Sequence, residues 1–207
     1  MKINLDVVTG FLGSGKSTLI NSIIKETIVK GDEVLVIQLE DGETKIIDEL
    51  SNVKKCIYNG EVYELDSFMN EKIRESNFSK IIIEYNGTES FDELKDILSK
   101  ESIRRKFKIN DIYFVADAKN IKSYILNMSD LIVPSLESSD LILINNCFNI
   151  EDKTIIDIDT LIKTINLSGH ILKCANNENM ATTIRESKLF KKRTIKRLYM
   201  NIRGNRN

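Results

Sequence analysis

The chain has 207 residues, 42% hydrophobic and 29% charged, with 9 Gly and a single Pro, Pro134. That length can bury a core, and the composition excludes collagen-like, low-complexity and Pro-rich disordered classes. The formal net charge of -1 conceals a split: residues 1–187 hold all 31 acidic residues and are net -9, whereas 188–207 carry eight Lys and Arg and no acid.

Short apolar runs alternate with helical periodicity along the chain, the pattern of βαβ units in an α/β, doubly wound, mainly parallel sheet. The first strand is expected at Ile3–Val8 and the first helix at Lys16–Val29, with Lys30-Gly31 as its C-cap. Strand Val34–Leu39, helix Glu61–Ser76 and strand Lys80–Glu84 follow. Helix Phe91–Ser99 has Ser90 as candidate N-cap and Glu93 three residues on. Then come strand Ile112–Asp117, helix Asn120–Met128, strand Leu141–Asn145, helix Asp152–Asn166 and strand His170–Cys174. No repeat and no linker rich in Pro, Gly or Ser interrupts this order, so 1–175 is expected as one domain and 176–207 as a basic C-terminal extension.

No apolar run reaches the roughly 18 residues of a membrane span. Asp6 lies in an N-terminal apolar run too short for a signal peptide, so the expected location is cytoplasmic, away from membranes. Cys56, Cys147 and Cys174 are odd in number and form no Cys-x-x-Cys pair, which fits a reducing compartment. The one histidine, His170, leaves little material for a conventional zinc site and is expected as a strand residue.

Gly10-Phe11-Leu12-Gly13-Ser14-Gly15-Lys16-Ser17 satisfies the Walker A pattern Gly-x-x-x-x-Gly-Lys-Ser, directly after an apolar strand and opening a helix. Glycines let the backbone fold so that successive N–H groups point at an oxyanion, and the helix start adds its positive dipole end. The expected nucleotide-binding residues are Gly13, Ser14, Gly15, Lys16, Ser17 and Thr18. Lys16 is placed on the β- and γ-phosphates as a catalytic candidate, the Ser17 hydroxyl on Mg²⁺, and Thr18 on the α-phosphate. Residues 1–175 therefore read as a P-loop nucleotide-binding domain.

The stretch Val8-Thr9-Gly10-Phe11-Leu12-Gly13-Ser14-Gly15-Lys16-Ser17-Thr18-Leu19-Ile20-Asn21 resembles the opening of the CobW/UreG/HypB-type P-loop GTPases, the CobW branch above all. Ile81-Ile82-Ile83-Glu84-Tyr85-Asn86-Gly87 resembles that family's Walker B strand ending in Glu-x-x-Gly, and Phe114-Val115-Ala116-Asp117-Ala118-Lys119-Asn120 its strand ending in Val-Asp-Ala. The resemblance implies that Glu84 serves Mg²⁺ and catalysis and that Gly87 lets backbone approach the γ-phosphate. It also implies a switch at Gln38–Asp48. There Glu40, Gly42 and Glu43 match, Leu39 replaces an Asn and Asp48 falls one residue late. The pattern does not choose among Glu40, Asp41 and Glu43; Asp41 is taken as the catalytic candidate and Glu40 as the metal-side one.

Two elements of the family pattern are missing. Where its Cys-x-Cys-Cys motif would fall, the chain reads Val53-Lys54-Lys55-Cys56-Ile57, and a single thiol cannot build a thiolate-rich site. Where the base-reading Asn-Lys-x-Asp would fall, it reads Asn145-Asn146-Cys147-Phe148. Asn145 and Asn146 remain nucleotide-binding candidates, but Phe148 cannot accept the two bonds a guanine-reading carboxylate makes.

The resemblance implies a Mg²⁺-dependent GTP hydrolase coupling nucleotide state to metal or metallocofactor handling on a partner protein. GTP is favoured over ATP through the resemblance alone. The alternatives are a small-molecule kinase or ATPase, with Arg104-Arg105-Lys106 as candidate lid, and a non-hydrolysing regulatory module. No trans-acting Arg stands out, so a homodimer or partner is an open source of activation. The basic, apolar-interleaved stretch Lys188–Tyr199 is the expected contact for self-association or a partner, with a solvated tail as the alternative. Nucleic acid is the weakest reading of that charge.

Overall fold

The computed structural model describes residues 2–29, 31–39, 46, 51–187, 189 and 190. The N-terminal half contains β1 (Ile3–Thr9), α1 (Lys16–Thr27), β2 (Val34–Gln38), β3 (Val53–Ile57), α2 (Leu65–Glu75), β4 (Lys80–Glu84), α3 (Phe91–Ser99) and α4 (Glu101–Lys106). It is followed by β5 (Phe107–Asp117), α5 (Ile121–Asn127), α6 (Ser129–Glu137), β6 (Leu141–Asn145), α7 (Asp152–Ile165), β7 (His170–Lys173) and α8 (Met180–Glu186). Short 3₁₀ turns, Val62–Glu64 and Asn177–Asn179, lead into α2 and α8.

Among the described residues the strands form one seven-stranded sheet in the order β3-β2-β4-β1-β5-β6-β7. Every pairing is parallel. A parallel sheet needs both faces covered, which is why β2, β4 and β6 are buried along their whole length. On one face α1 and α8 pack Leu19, Ile20, Ile23, Ile24, Met180 and Ile184 against Val8, Val36, Ile82 and Leu143. The other face divides into two clusters. Leu65, Met69, Phe91 and Leu94 cover Leu5, Val7, Ile37 and Ile83, while Ile121, Ile132, Leu136 and Ile158 cover Phe114, Ala116, Ile142 and Ile144. This is the doubly wound P-loop architecture expected from the sequence. The chain leaves β1 toward β2 on one side and resumes at β5 on the other, and that reversal opens a crevice at the C-terminal ends of the strands.

Several expected elements shift. β5 begins at Phe107, five residues before the expected Ile112, because Lys108 and Ile109 continue the pairing with β1 and Asn110 is the extra residue where the register shifts between Leu5 and Asp6. β3, not among the expected strands, is an edge strand whose Lys54 and Lys55 are exposed, a common way to blunt an unpaired edge. α4 and α6 were also not expected, and α6 holds Pro134, which removes one donor from its ladder. Residues 176–187, 189 and 190 pack onto the same body: Met180, Ile184 and Phe190 are buried in the α1-side cluster, and the Phe190 ring lies 6.1 Å from that of Tyr113. The expected cap residue Lys30, the switch carboxylates Glu40, Asp41, Glu43 and Asp48, and the basic residues of the tail lie outside the described residues. No helix among the described residues is long and apolar enough to cross a membrane.

Candidate functional site

The loop between β1 and α1 turns through Gly10, Gly13 and Gly15, which have φ of 134°, 75° and 109°. Ser14 N–H closes a turn on the Phe11 carbonyl at 3.2 Å, and Gly15 stands as N-cap of α1. A side chain at Gly15 would be strained by its left-handed backbone and would meet the amide nitrogen of Asn145 at 2.6 Å. Lys16 and Ser17, the first residues of α1, are buried. The Lys16 ammonium curls over the loop and donates to the Phe11 carbonyl at 3.2 Å. Thr18 is half-buried one residue further on.

Register brings a carboxylate into place. Val8 pairs with Glu84 across β1 and β4, and Gln38 pairs with the same Glu84 across β2 and β4. Three strand ends therefore meet beside the loop. Ser17 Oγ donates to Glu84 Oε1 at 2.6 Å, and Gln38 Nε2 donates to Glu84 Oε2 at 2.7 Å. With 1% of its surface exposed, Glu84 is a buried carboxylate, and burial without such donors would be costly. The sequence reading placed Gln38 at the start of the switch segment and gave its side chain no role of its own. Its signal is weak, a polar residue closing an apolar strand, and its purpose shows only when β2 is laid against β4.

Gly87 follows β4 at the point of closest approach. A Cβ there would lie 2.5 Å from the Gly10 carbonyl carbon and oxygen and 2.9 Å from Phe11 N, so the turn after β4 rests directly on the loop backbone. Asn86 holds that turn by accepting from Thr88 N at 3.0 Å and Thr88 Oγ1 at 2.9 Å.

On the far side, fully buried Asn145 uses its Nδ2 twice, donating to the Ser14 carbonyl at 2.8 Å and to Asn177 Oδ1 at 2.7 Å. Asn146, at φ 58°, donates to Asp117 Oδ2 at 2.6 Å. Asn145 is thus brought to the loop itself, and Asn146 to the end of β5. Phe148 stands 66% exposed just beyond, with its N–H on the Ala175 carbonyl at 2.9 Å. A cleft of about 160 Å³ borders the loop between Phe11, Leu12 and Ser14 and the β5 end, where Phe11 stacks on Tyr124 at 4.3 Å.

The remaining sequence candidates lie elsewhere. Cys56 is half-buried on β3, its thiol donating to the Val36 carbonyl, and burial pushes that thiol up from the ordinary range. Burial likewise raises Cys147. Among the described residues no group of three or more His, Cys, Asp and Glu converges where a metal ion would sit. His170 is exposed at the start of β7. The candidate lid Arg104-Arg105-Lys106 is corrected by the topology. It closes α4, before β5, and Arg105 is paired with Glu101 at 2.5 Å. Phe107 pairs with Ile3 at the start of β1, so these residues lie at the opposite end of the sheet from the loop, roughly 20 Å away along β1.

A family model described as the CobW/HypB/UreG nucleotide-binding domain matches residues 4–173. Zinc-regulated GTPase metalloprotein activator 1 of Schizosaccharomyces pombe is 25% identical over 188 residues, covering 79% of this chain and 45% of that protein. Its namesake in Dictyostelium discoideum is 23% identical and is covered over 46% of its length, so the chain spans less than half of these curated relatives. The crystal structure of the Zn(II)-bound YjiA GTPase from E. coli superposes with a TM-score of 0.62 at 19% identity, over 83% of this chain and 57% of that one. At that identity the superposition speaks for the fold.

Proposed function

The chain belongs to the CobW/HypB/UreG family of nucleotide-binding domains, and on that premise we propose that it is a Mg²⁺-dependent GTP hydrolase. Its nucleotide state would be coupled to metal or metallocofactor handling on a partner protein. The observation that carries this reading is the buried Glu84 carboxylate, held between Ser17 and Gln38 directly beside the glycine loop.

The chemistry follows from the residues present. A nucleoside triphosphate brings several negative charges, and the loop answers with backbone donors, the start of α1 and the Lys16 ammonium. Withdrawing Lys16 from the Phe11 carbonyl frees it to reach phosphate oxygens without moving the backbone. The Ser17 hydroxyl and the Glu84 carboxylate form an all-oxygen donor set, which suits a hard divalent cation, and these two residues would hold Mg²⁺. An ion held there would supply charge neutralisation at the phosphates. Gln38 keeps the carboxylate oriented, and Gly87 keeps the turn after β4 close enough for its backbone to meet the terminal phosphate. Catalysis of this kind is chiefly positional and electrostatic.

A second reading is favoured by one specific feature, the exposed Phe148 at the position where the family pattern has a carboxylate. With no carboxylate there to read guanine, it fits a module that holds GTP or ATP alike, and in this reading without turnover. Multiple-turnover phosphate release with Mg²⁺ and GTP, repeated with Co²⁺, Ni²⁺ and Zn²⁺, separates the two. Release that changes with the added metal supports the coupled hydrolase. Nucleotide binding without release supports the module, and binding of neither GTP nor ATP contradicts both.

A further inference from the structure

Resting on the nucleotide-binding reading above, we infer that Asn177 is a positioning residue for the phosphate loop. Asn145 spans two acceptors with one amide group, Ser14 O at 2.8 Å and Asn177 Oδ1 at 2.7 Å, while its own buried Oδ1 has no hydrogen-bond partner among the described residues. Among the described residues its orientation is therefore set from the nitrogen side, by a loop carbonyl and by Asn177.

That orientation matters because a peptide is planar and trans, so the C=O and the following N–H point in opposite directions. Holding the Ser14 carbonyl outward on Asn145 turns the Gly15 N–H the other way, to the inner side of the loop where an oxyanion is cradled. Asn177 fixes the amide that fixes the carbonyl. Contact is close on this side of the loop: a Cβ on Gly15 would lie 2.8 Å from Asn177 Oδ1 and 3.3 Å from Met180 Cε.

Asn177 can do this because its backbone is anchored. Asn176 caps the 3₁₀ turn by accepting from Asn179 N at 3.1 Å, and the turn runs into α8. Met180 and Ile184 are buried against α1, and Arg185 grips Glu26 with two nitrogens at 3.0 and 2.8 Å. The Asn177 side chain itself lies outside the core, so truncating it leaves core packing intact.

The contact is with the loop and not with a base, so its loss weakens GTP and ATP alike. The test uses fluorescent GTP and ATP analogues with Mg²⁺ on the whole chain, comparing the parent with Asn177→Ala, Asn177→Asp and Arg185→Ala. Asn177→Ala is expected to lower both affinities by the same factor, about five- to tenfold, with an unchanged melting temperature. Asn177→Asp, which keeps an acceptor in place but adds a negative charge beside the loop, recovers part of that loss at high salt, where the repulsion of the phosphates is screened. Arg185→Ala lowers the melting temperature and leaves the affinities within about twofold. Parent-like affinity in Asn177→Ala, or an equal affinity loss in Arg185→Ala, overturns the inference while leaving the nucleotide reading standing. A parent that binds neither nucleotide overturns both.

Discussion

Ser17 Oγ donates to Glu84 Oε1 at 2.6 Å, joining the first turn of α1 to the end of β4 across 67 residues of sequence. Both groups are buried, and Gln38 occupies the other carboxylate oxygen. Replacing Glu84 by Gln keeps the volume and removes the charge. Affinity for GTP in Mg²⁺ is expected to fall about tenfold, with affinity in EDTA unchanged. Calorimetric titration in the two buffers measures that difference, and an equal loss in both would remove Glu84 from metal binding.

Gly87 lies against the Gly10 backbone with no space for a methyl group. Gly87→Ala must push the turn off the loop, since the clash is with the Gly10–Phe11 peptide itself and no side chain can give way. A loss of about 2 kcal/mol in unfolding free energy is expected, together with weaker nucleotide binding. Urea denaturation and nucleotide titration of the same variant check the two parts.

Asp6 and Lys80 form a buried ion pair on adjacent strands, where Asn110 also donates to Asp6 at 3.0 Å. Removing one partner strands the other charge in the core. Lys80→Met is expected to cost about 3 kcal/mol, and Asp6→Leu with Lys80→Met to recover most of it. A double-mutant cycle by chemical denaturation gives the coupling.

Tyr85 donates its hydroxyl to the Ser90 carbonyl at 2.8 Å. Burial, reinforced by Glu89 and Glu93, raises its pKa well above the ordinary phenol range. The folded state therefore holds this proton more tightly than the unfolded chain does. The stability this contributes is complete below the unfolded phenol pKa and drains away as pH rises toward the folded one. Tyr85→Phe should cost about 1 kcal/mol at neutral pH and flatten the alkaline fall in stability. Melting temperatures from pH 7 to 11 show whether the two curves converge.

The sheet was legible in the sequence wherever burial on both faces left a continuous apolar run. Lys80–Glu84 and Leu141–Asn145 are found as read, and Phe91–Ser99 likewise with Ser90 as its cap. Val53–Ile57 was not, because an edge strand with exposed lysines lacks that run. Site legibility divides the same way. Gly10–Ser17 works through local backbone geometry, so its spacing alone announces it. Gln38 and Asn177 work through strand register and a contact spanning 32 residues, which composition and spacing do not encode. Asn145, read as a nucleotide-binding candidate, puts its amide nitrogen on the loop, and any contact with a base stays a proposal. Asp41 and Glu40 fall outside the described residues and stay as proposals.

The central claim, that Gly10–Ser17 closes around the phosphates of a nucleoside triphosphate, is tested most directly by titrating the whole chain with Mg²⁺ and labelled GTP or ATP. The parent is expected to bind at least one of them with micromolar affinity. Lys16→Ala, which removes the ammonium without disturbing the glycine backbone, should abolish that binding at an unchanged fold by circular dichroism. Equal binding by the parent and Lys16→Ala, or no binding of either nucleotide by the parent, would contradict it.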